Sequence, residues 1–420
     1  MLEIIKNILW SPITVIFIAV VGIIISIKTS FRALRKPKKV LNNTIFSKNN
    51  SSSFEAMCTA LGGTIGVGNT IGVAGAIYEG GPAALLWMLL ASVFGMGIKE
   101  AEIYLAVKYK QAGAVFSGPM YYIEKGIGSK AFAMLWAVSC VFTAFGMGNI
   151  SQSMAAVRSL NSVTGIDKEI ISIFFTALIF ILILSGMKGI KKALGACVPV
   201  ITILFISVSL IIIYIQRSNL PTALCSIINS FFNGGAALSG VKWTLFAASM
   251  RAGFSRGIFT NEAGLGSASI VHSSSNESSP EKQAMWGVIE VFIDTVVICM
   301  LTGTMILTSN TTGISPEKVT LNIFFNSLGK VGASFYSVSM LIFALASIMA
   351  WYCYAECALK YLGFPNKYLP FFKLAFSLAG FLGGIIEVES VLNISDIFNA
   401  VMLITNLTAL LLLSNKLKSN

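Results

Sequence analysis

Eleven long apolar stretches follow one another along the chain, and they constrain its fold more than any other feature. A bilayer core requires about 20 apolar residues per helix. Only 11% of the residues are charged, whereas soluble domains carry about 25%. We therefore expect an all-α polytopic membrane protein whose first apolar run is a retained span and not a cleaved signal peptide. The eleven predicted transmembrane helices are 7–27, 55–78, 83–107, 131–157, 170–187, 194–215, 243–270, 284–308, 333–359, 369–386 and 394–414.

Basic residues are distributed unevenly between the two sets of segments that connect these spans. The set that begins with 28–55 holds 20 of the 30 lysines and arginines, and the opposite set holds 6. Because basic residues favour the cytoplasmic side, we expect the N-terminus outside and the C-terminus in the cytoplasm. The block 28-KTSFRALRKPKK-39 could by itself suggest nucleic-acid binding. Next to a membrane span it is interpreted as a topology anchor, and no nucleic-acid partner is expected.

The second apolar stretch contains a glycine-rich segment, 62-GGTIGVGNTIGVAG-75, with a polar Asn69 at its centre. Glycine costs about 1 kcal/mol in a helix interior relative to alanine. Non-helical backbone at membrane depth is tolerated only where protein or a water-filled cavity surrounds it. The segment therefore indicates a broken helix, although glycines in membranes also serve close helix packing.

The seventh apolar stretch is interrupted in a similar way by 256-RGIFTNEAGLGSAS-269, which contains Gly257, Gly264 and Gly266. This segment also places Asn261 and Glu262 at mid-membrane depth, where polar groups are costly and tend to be functional. Two such breaks at corresponding positions of two halves favour a binding site over simple packing.

The spacing of the two breaks divides the chain into repeats. Because the breaks are five spans apart, spans 2–6 and 7–11 form a 5+5 inverted repeat, over about 54–216 and 241–415. Residues 1–53 then contribute an extra N-terminal helix and a basic loop, before a transporter core at 54–415. At a helix break, free amides face an anion and free carbonyls face a cation. Such a site suits a zwitterion and a co-transported cation.

Four stretches resemble the alanine or glycine:cation symporter family, the sodium:alanine symporters. They are 62-GGTIGVGNTIGVAGAIYEGGPAALLWM-88, 118-GPMYYIEKGIG-128, 256-RGIFTNEAGLGSA-268 and 292-FIDTVVICMLTG-303. The resemblance implies a leucine-transporter-like fold of ten core helices plus the extra helix. It also implies symport of a small neutral amino acid, alanine or glycine, with sodium. No cofactor is expected beyond the coupling ion, and a monomer in the cell membrane is expected.

The resemblance further implies which residues hold the substrate. Backbone amides of Gly66, Val67, Gly68 and Asn69 would face the carboxylate, because glycine lets the backbone approach closely. Gln152 would add a polar contact from the fourth span.

The second break would supply Phe259, Thr260 and Asn261, whose carbonyls are expected to take the ammonium group. Phe259 would bound the pocket, and Trp351 would form a wall that limits the size of the side chain. For Phe259 and Trp351, core or lipid packing is an equally open interpretation.

Two cation sites are expected from the same resemblance. The first would use Thr64, Asn69 and Thr260, with help from Asp294. Asp294 could instead form a structural ion pair with Arg251 or Arg256.

The second cation site would use the carbonyls of Gly62 and Ile65 with the hydroxyl of Ser347. The sequence departs from the family here, because Ala346 replaces a residue that carries a second hydroxyl. This departure leaves the coupling ion open between sodium and the proton.

Other polar residues receive less specific interpretations. Lys99, Glu100 and Glu102 are expected to snorkel and pair near the cytoplasmic end of the third span. His272, the only histidine, falls in a polar loop, which argues against a histidine-based site.

Three other functions remain as alternatives. A transporter of the same fold with another substrate or with proton coupling is the nearest one. An intramembrane enzyme would need a catalytic dyad within the spans, and Asp294 lacks a clear aspartate partner. A passive channel would favour symmetric rings of filter residues, whereas this chain carries one pair of breaks.

Overall fold

The computed structural model describes residues 2–29, 31–47, 50–111, 113–235, 240–309, 311, 313–386 and 389–417. Within them every regular element is a helix, as expected where backbone groups must pair internally. Seven of these helices are long and apolar enough to cross a membrane, and one pair bent by 55° adds an eighth. The three other predicted spans correspond to shorter or less apolar helices, Pro12–Lys28, Lys168–Leu184 and Gly240–Asn261.

Four helices precede the predicted core: α1 (Leu2–Leu9), α2 (Pro12–Lys28), α3 (Arg32–Arg35) and α4 (Pro37–Asn43). Proline opens α2 and α4 without loss, because an N–H at that position has no partner within the helix. One face of α2 is buried and includes Ile18 and Val21, while Ile13 on the other face is 77% exposed. Such an exposed apolar face suits contact with lipid.

Eight helices form the next part of the chain. They are α5 (Ser51–Thr64), α6 (Val73–Gly80), α7 (Ala84–Lys108), α8 (Pro119–Ile127), α9 (Lys130–Phe145), α10 (Ser151–Thr164), α11 (Lys168–Leu184) and α12 (Gly186–Ile215). A π-helical turn, Gly68–Gly72, leads into α6, and another, Gly146–Ile150, joins α9 to α10. Turns of this kind are frequent at functional sites.

The remaining helices follow a similar order. They are α13 (Leu220–Gly235), α14 (Gly240–Asn261), α15 (Ser267–His272), α16 (Pro280–Val291), α17 (Met300–Thr308), α18 (Pro316–Tyr361), α19 (Leu369–Ile385) and α20 (Glu389–Leu412). A third π-helical turn, Phe292–Cys299, joins α16 to α17. Gly329, with φ 64°, kinks α18. Three short 3₁₀ turns complete the described elements, at Arg217–Asn219, Asn366–Tyr368 and Ser414–Lys416.

Helices from the two parts pack on one another: α9 on α20, α10 on α18 and α11 on α19. Small residues permit the closest approaches, as is common in membranes. A Cβ on Gly257 would lie 2.9 Å from the Cβ of Ala91, so Gly257 brings α14 against α7. Gly257 therefore serves helix packing and does not belong to the second break.

Candidate functional site

The first break lies between α5 and α6. Helix α5 ends at Thr64, and the extended Ile65 turns the chain before the π-helical turn Gly68–Gly72 begins. The Asn69 side chain stabilises this turn, because its Oδ1 accepts a hydrogen bond of 2.9 Å from the Gly66 N–H. The chain is thus broken where the glycine-rich segment predicted it.

The second break joins α14 to α15. Glu262 (φ 54°), Gly264 (φ 98°) and Gly266 (φ 78°) all have left-handed backbone. Glycine adopts such angles readily, whereas a residue with a Cβ incurs a cost of about 1–3 kcal/mol. The Oδ1 atom of Asn261 accepts a hydrogen bond of 3.0 Å from the Ala263 N–H. An asparagine side chain therefore caps each break.

The second break begins later than the sequence suggested. Phe259, Thr260 and Asn261 form the final turn of α14, and the irregular segment starts at Glu262. The last four carbonyls of a helix lack partners within it. The three predicted residues therefore present free backbone carbonyls at the C-terminus of α14, as a site for an ammonium group or a cation requires.

A chain of buried hydrogen bonds connects the two breaks. The Asn69 Nδ2 atom donates to Oδ1 of Asp294 at 2.8 Å, and Thr295 Oγ1 donates to Asp294 Oδ2 at 2.9 Å. The Asn261 Nδ2 atom in turn donates to Thr295 Oγ1 at 3.1 Å. All four side chains are buried. The π-helical turn that contains Asp294 therefore contacts both capping asparagines.

A cavity of about 540 Å³ lies between the two breaks. The predicted residues Thr64, Val67, Gly68, Gln152, Phe259 and Thr260 line it, together with Glu262. It reaches the surface near Glu79 and Glu317, which are 53% and 61% exposed. Gly66, Asn69 and Asn261 belong to the surrounding breaks but not to the lining. Five of the nine predicted substrate residues thus line one cavity, and three more lie in the breaks around it.

Gln152 contacts the first break directly. Its Oε1 accepts a hydrogen bond of 3.3 Å from the Val67 N–H. A Cβ on Gly66 would lie only 2.6 Å from the same oxygen. The close approach of Gln152 therefore requires glycine at position 66.

Trp351 is fully buried behind this cavity and does not line it. Its Nε1 donates to Oε1 of Glu262 at 3.0 Å, and Ser267 Oγ donates to Oε2 of Glu262 at 2.7 Å. The ring lies so close to Gly148 that a Cβ there would be 2.6 Å from the Trp351 Cβ. Trp351 as a size-limiting wall stays a prediction, and the structure places Glu262 between it and the cavity.

Of the predicted ligands of the first cation site, Thr64 and Thr260 line the cavity, and Asn69 hydrogen-bonds to Asp294. Thr260 approaches Gly68, since a Cβ on Gly68 would lie 3.4 Å from Thr260 Cγ2. The Thr64 and Thr260 hydroxyls donate to the carbonyls of Leu61 and Arg256 within their own helices. Their oxygens stay available as acceptors.

Asp294 bonds to neutral donors, and Arg256 instead lies 3.9 Å from Glu79. This arrangement differs from the alternative in which Arg256 pairs with Asp294.

The residues of the second predicted cation site lie where α5 packs against α18. Ser347 Oγ donates to the Gly63 carbonyl at 3.0 Å, and a Cβ on Gly62 would lie 3.1 Å from the Ala346 Cβ. Ile65 is buried at the end of α5. The missing hydroxyl at Ala346 therefore faces the same helix end as Ser347.

Sequence reasoning missed the residues that hold the second break in place. Oε1 of Glu102 accepts hydrogen bonds from the Gly264 N–H at 2.8 Å and from Asn406 Nδ2 at 2.7 Å. Asn406 also donates to the Gly264 carbonyl at 2.8 Å and bonds to the Tyr122 hydroxyl. The sequence did contain a signal, the carboxylate of Glu102 within an apolar stretch, but it was interpreted as a snorkelling side chain.

The charges of α7 are buried and do not snorkel. Lys99 Nζ lies 3.2 Å from Glu290 Oε1, and Glu100 pairs with Arg32 at 3.0 Å. His272, which was expected in a loop, is fully buried at the end of α15 and bonds to Glu290 Oε2 at 2.9 Å. The contacts of Glu290 tie α7, α15 and α16 together, and the pair of Glu100 with Arg32 ties α7 to α3.

Two capped helix breaks that face one cavity, inside a bundle of apolar helices, define a multi-pass membrane transporter. The model of the sodium:alanine symporter family matches residues 1–420. The chain belongs to this family, and it is a transporter and not an enzyme.

Relatives and a solved structure agree with this assignment. An uncharacterized transporter of Haemophilus influenzae is 34% identical, over 98% of this chain and 92% of its own. The sodium/alanine symporter AgcS of Methanococcus maripaludis is 32% identical, over 98% and 93%. The crystal structure of MhsT in complex with L-phenylalanine matches with a TM-score of 0.57 and 17% identity, over 86% of this chain and 88% of that one. The similarity to MhsT shows a leucine-transporter-like fold.

Proposed function

We propose that the protein is a sodium-coupled symporter of small neutral amino acids, alanine and glycine, in the cell membrane. The single observation that carries this proposal is the cavity between two asparagine-capped breaks, whose asparagines hydrogen-bond to the neighbouring residues Asp294 and Thr295. One break offers amide groups, and the other offers a carbonyl end beside a buried carboxylate. The printed name of AgcS, a sodium/alanine symporter, supports the same substrate and ion.

The substrate carboxylate binds at the first break. The Val67 N–H already holds an oxygen acceptor, Oε1 of Gln152, at 3.3 Å. A carboxylate oxygen can take the place of that acceptor, and the Gln152 side chain can then turn to donate its Nε2 to the substrate. Gly66 and Gly68 keep the surrounding backbone accessible, since neither carries a Cβ. The amide end of a helix also favours negative charge.

The ammonium group binds at the other side, near the carbonyls of Phe259, Thr260 and Asn261. Glu262 lines this part of the cavity, and its two oxygens accept from Trp351 and Ser267. A bulky substrate side chain meets Glu262 with Trp351 packed behind it. This arrangement favours substrates as small as alanine or glycine.

Sodium binds on the helix ends that carry carbonyls. Thr64, Asn69, Thr260 and Asp294 form the first site, because hard cations prefer oxygen ligands. Gly62, Ile65 and Ser347 form a second, poorer site, since Ala346 supplies no hydroxyl.

The proposal includes the finer topology. Eleven spans are arranged as an extra N-terminal helix and a 5+5 inverted repeat, over about 54–216 and 241–415. The N-terminus lies outside, the C-terminus lies in the cytoplasm, and a monomer suffices because one chain holds both breaks.

A second candidate is a transporter of the same fold with another amino acid or with proton coupling. Two features support this second candidate: Ala346 lacks the hydroxyl of the second cation site, and the carboxylate of Glu262 lines the cavity. Among relatives, a protein of Bacillus subtilis that is 29% identical is named a probable sodium/glutamine symporter, GlnT.

Competition in proteoliposomes tests the substrate. Labelled alanine is taken up under an inward sodium gradient, with unlabelled glycine, serine, D-alanine or glutamine in excess and protein-free vesicles as the control. We expect glycine to compete strongly and glutamine weakly. Stronger competition by glutamine than by glycine would move the assignment to the second candidate.

A further inference from the structure

Trp10 connects the extra N-terminal helix to the wall of the cavity. It lies between α1 and α2, in the part of the chain that precedes the predicted ten-helix core. Its indole Nε1 donates a hydrogen bond of 3.0 Å to the backbone carbonyl of Asp396. Its ring meets Phe259 edge to face, with centroids 6.3 Å apart and an angle of 70°. Phe259 and Asp396 both line the cavity.

These two contacts fall on different walls. Phe259 lies in the last turn of α14, directly before the second break, whereas Asp396 lies on α20. Ser395 lines the cavity beside Asp396, and its Oγ accepts from the Met147 N–H at 2.8 Å. Trp10 therefore bridges two elements whose separation sets the width of the cavity on this side.

Tryptophan near a membrane surface often acts only as an interfacial anchor. In that role the indole N–H would be directed to headgroups or water. Here the N–H is directed to a backbone carbonyl of α20, and the ring is half-buried against a residue of the candidate site. An aromatic pair of this geometry contributes specifically to the position of both rings.

We infer that Trp10 is a positioning residue of the transport site, which holds Phe259 and the Asp396 segment in the wall of the cavity. The extra helix is thereby part of the transport machinery as well as a membrane anchor. This inference rests on the proposed function, because it assigns Phe259 a role in holding the substrate.

Kinetics of alanine uptake in proteoliposomes test this role. Trp10→Ala should raise KM about three- to tenfold, the effect of one lost ring contact and one lost hydrogen bond, with kcat changed by less than about twofold. Trp10→Phe retains a ring and should recover part of the affinity. The matched control is Ile13→Ala, which removes a 77% exposed side chain from the same region and should leave KM unchanged.

A double-mutant cycle separates positioning from general destabilisation. Phe259→Leu should raise KM by itself, and Trp10→Ala should have a smaller effect in that background than in wild type, because the ring contact is already lost and only the hydrogen bond to Asp396 remains to be removed. Multiplied effects of the two substitutions, or an unchanged KM in Trp10→Ala, would overturn the inference. If Trp10→Ala does not fold, the same cycle is read with Trp10→Phe.

Hydrogen exchange gives a reading that needs no substrate. Peptides that contain Phe259 and Asp396 should exchange faster in Trp10→Ala than in wild type, and not in Ile13→Ala. Unchanged exchange at both peptides would contradict the inference. If the wild-type protein transports neither alanine nor glycine, the proposed substrate is wrong. Faster exchange in Trp10→Ala than in wild type would still support the positioning role in that case.

Discussion

The side-chain amide of Asn69 donates a hydrogen bond of 2.8 Å to the carboxylate of Asp294, with both residues buried. The Oδ1 atom of the same side chain caps the first break by accepting a hydrogen bond from the Gly66 N–H. A buried carboxylate in a membrane protein requires partners or a cation. Here its partners are neutral donors, the Asn69 amide and the neighbouring Thr295 hydroxyl. Neither supplies a countercharge, so the negative charge of an ionised Asp294 would be open to a cation.

The substitution Asp294→Asn tests whether this charge holds the coupling ion. Asparagine can still accept from Asn69 and can donate to the Thr295 hydroxyl, so the fold should be retained. A unit charge about 4 Å from a cation contributes about 4 kcal/mol at a dielectric constant near 20. The sodium concentration for half-maximal uptake should therefore rise at least about tenfold.

Glu317→Gln is the matched control for Asp294→Asn, because it also removes one negative charge near the cavity but at a side chain that is 61% exposed. It should change the sodium dependence little, since exposed charges are screened. An unchanged sodium dependence in Asp294→Asn would show that the carboxylate is only structural.

Gly66→Ala should strongly reduce transport. The new Cβ would lie 2.6 Å from Oε1 of Gln152, so either the glutamine or the break must move. Overpacking of this kind costs about 1–3 kcal/mol, and initial uptake should fall about tenfold or more. Gly75→Ala is the control, because Gly75 lines the same cavity and a Cβ there would meet nothing within 4 Å. Equal activity of the two variants would refute the contact between Gln152 and the break.

Lys99→Met should destabilise the protein, because it leaves Glu290 buried without its cation. Breaking a buried pair by removing one partner costs about 3–5 kcal/mol. The double variant Lys99→Met with Glu290→Gln should regain most of this loss, since His272 can still hydrogen-bond to the new amide. The measurement is the midpoint of thermal unfolding in detergent. A double variant no more stable than the single one would contradict the pairing.

Ala346→Ser should strengthen the proposed second cation site. The added hydroxyl lies beside Ser347, whose Oγ contacts the Gly63 carbonyl. The substitution adds only one oxygen atom to the side chain at position 346. We expect the apparent sodium affinity to rise about two- to fivefold, which is about the value of one added hydrogen-bonding group. Ser347→Ala should lower it. Uptake kinetics over a range of sodium concentrations give both values, and no change in either variant would exclude a cation at this position.

Much of the fold could be predicted because membrane helices have a strong sequence signal. Long apolar stretches located the helices, and glycine with asparagine located the first break at Gly66 and Asn69. The second break was placed too early. Gly257 lies within α14 and serves packing against α7. The irregular backbone starts at Glu262, which has a φ of 54°, and a glutamate in the sequence does not indicate a left-handed backbone.

The polar interior was harder to predict, because partners distant in sequence determine it. Glu102 and Asn406 are 304 residues apart, yet both hold Gly264. Lys99 and Glu102 were expected to reach the membrane surface, and His272 was expected in a loop. Each found a buried partner on another helix, and only the packed structure reveals such pairs.

The most direct test of the central claim is the coupling of alanine uptake in proteoliposomes. Labelled alanine is measured under an inward sodium gradient and, separately, under an inward proton gradient at the same membrane potential. We predict concentrative uptake with sodium alone, which Asn69→Ala abolishes, because Asn69 caps the first break and contacts Asp294. Uptake driven by protons alone would contradict sodium coupling, and no uptake by folded protein under either gradient would contradict alanine as the substrate.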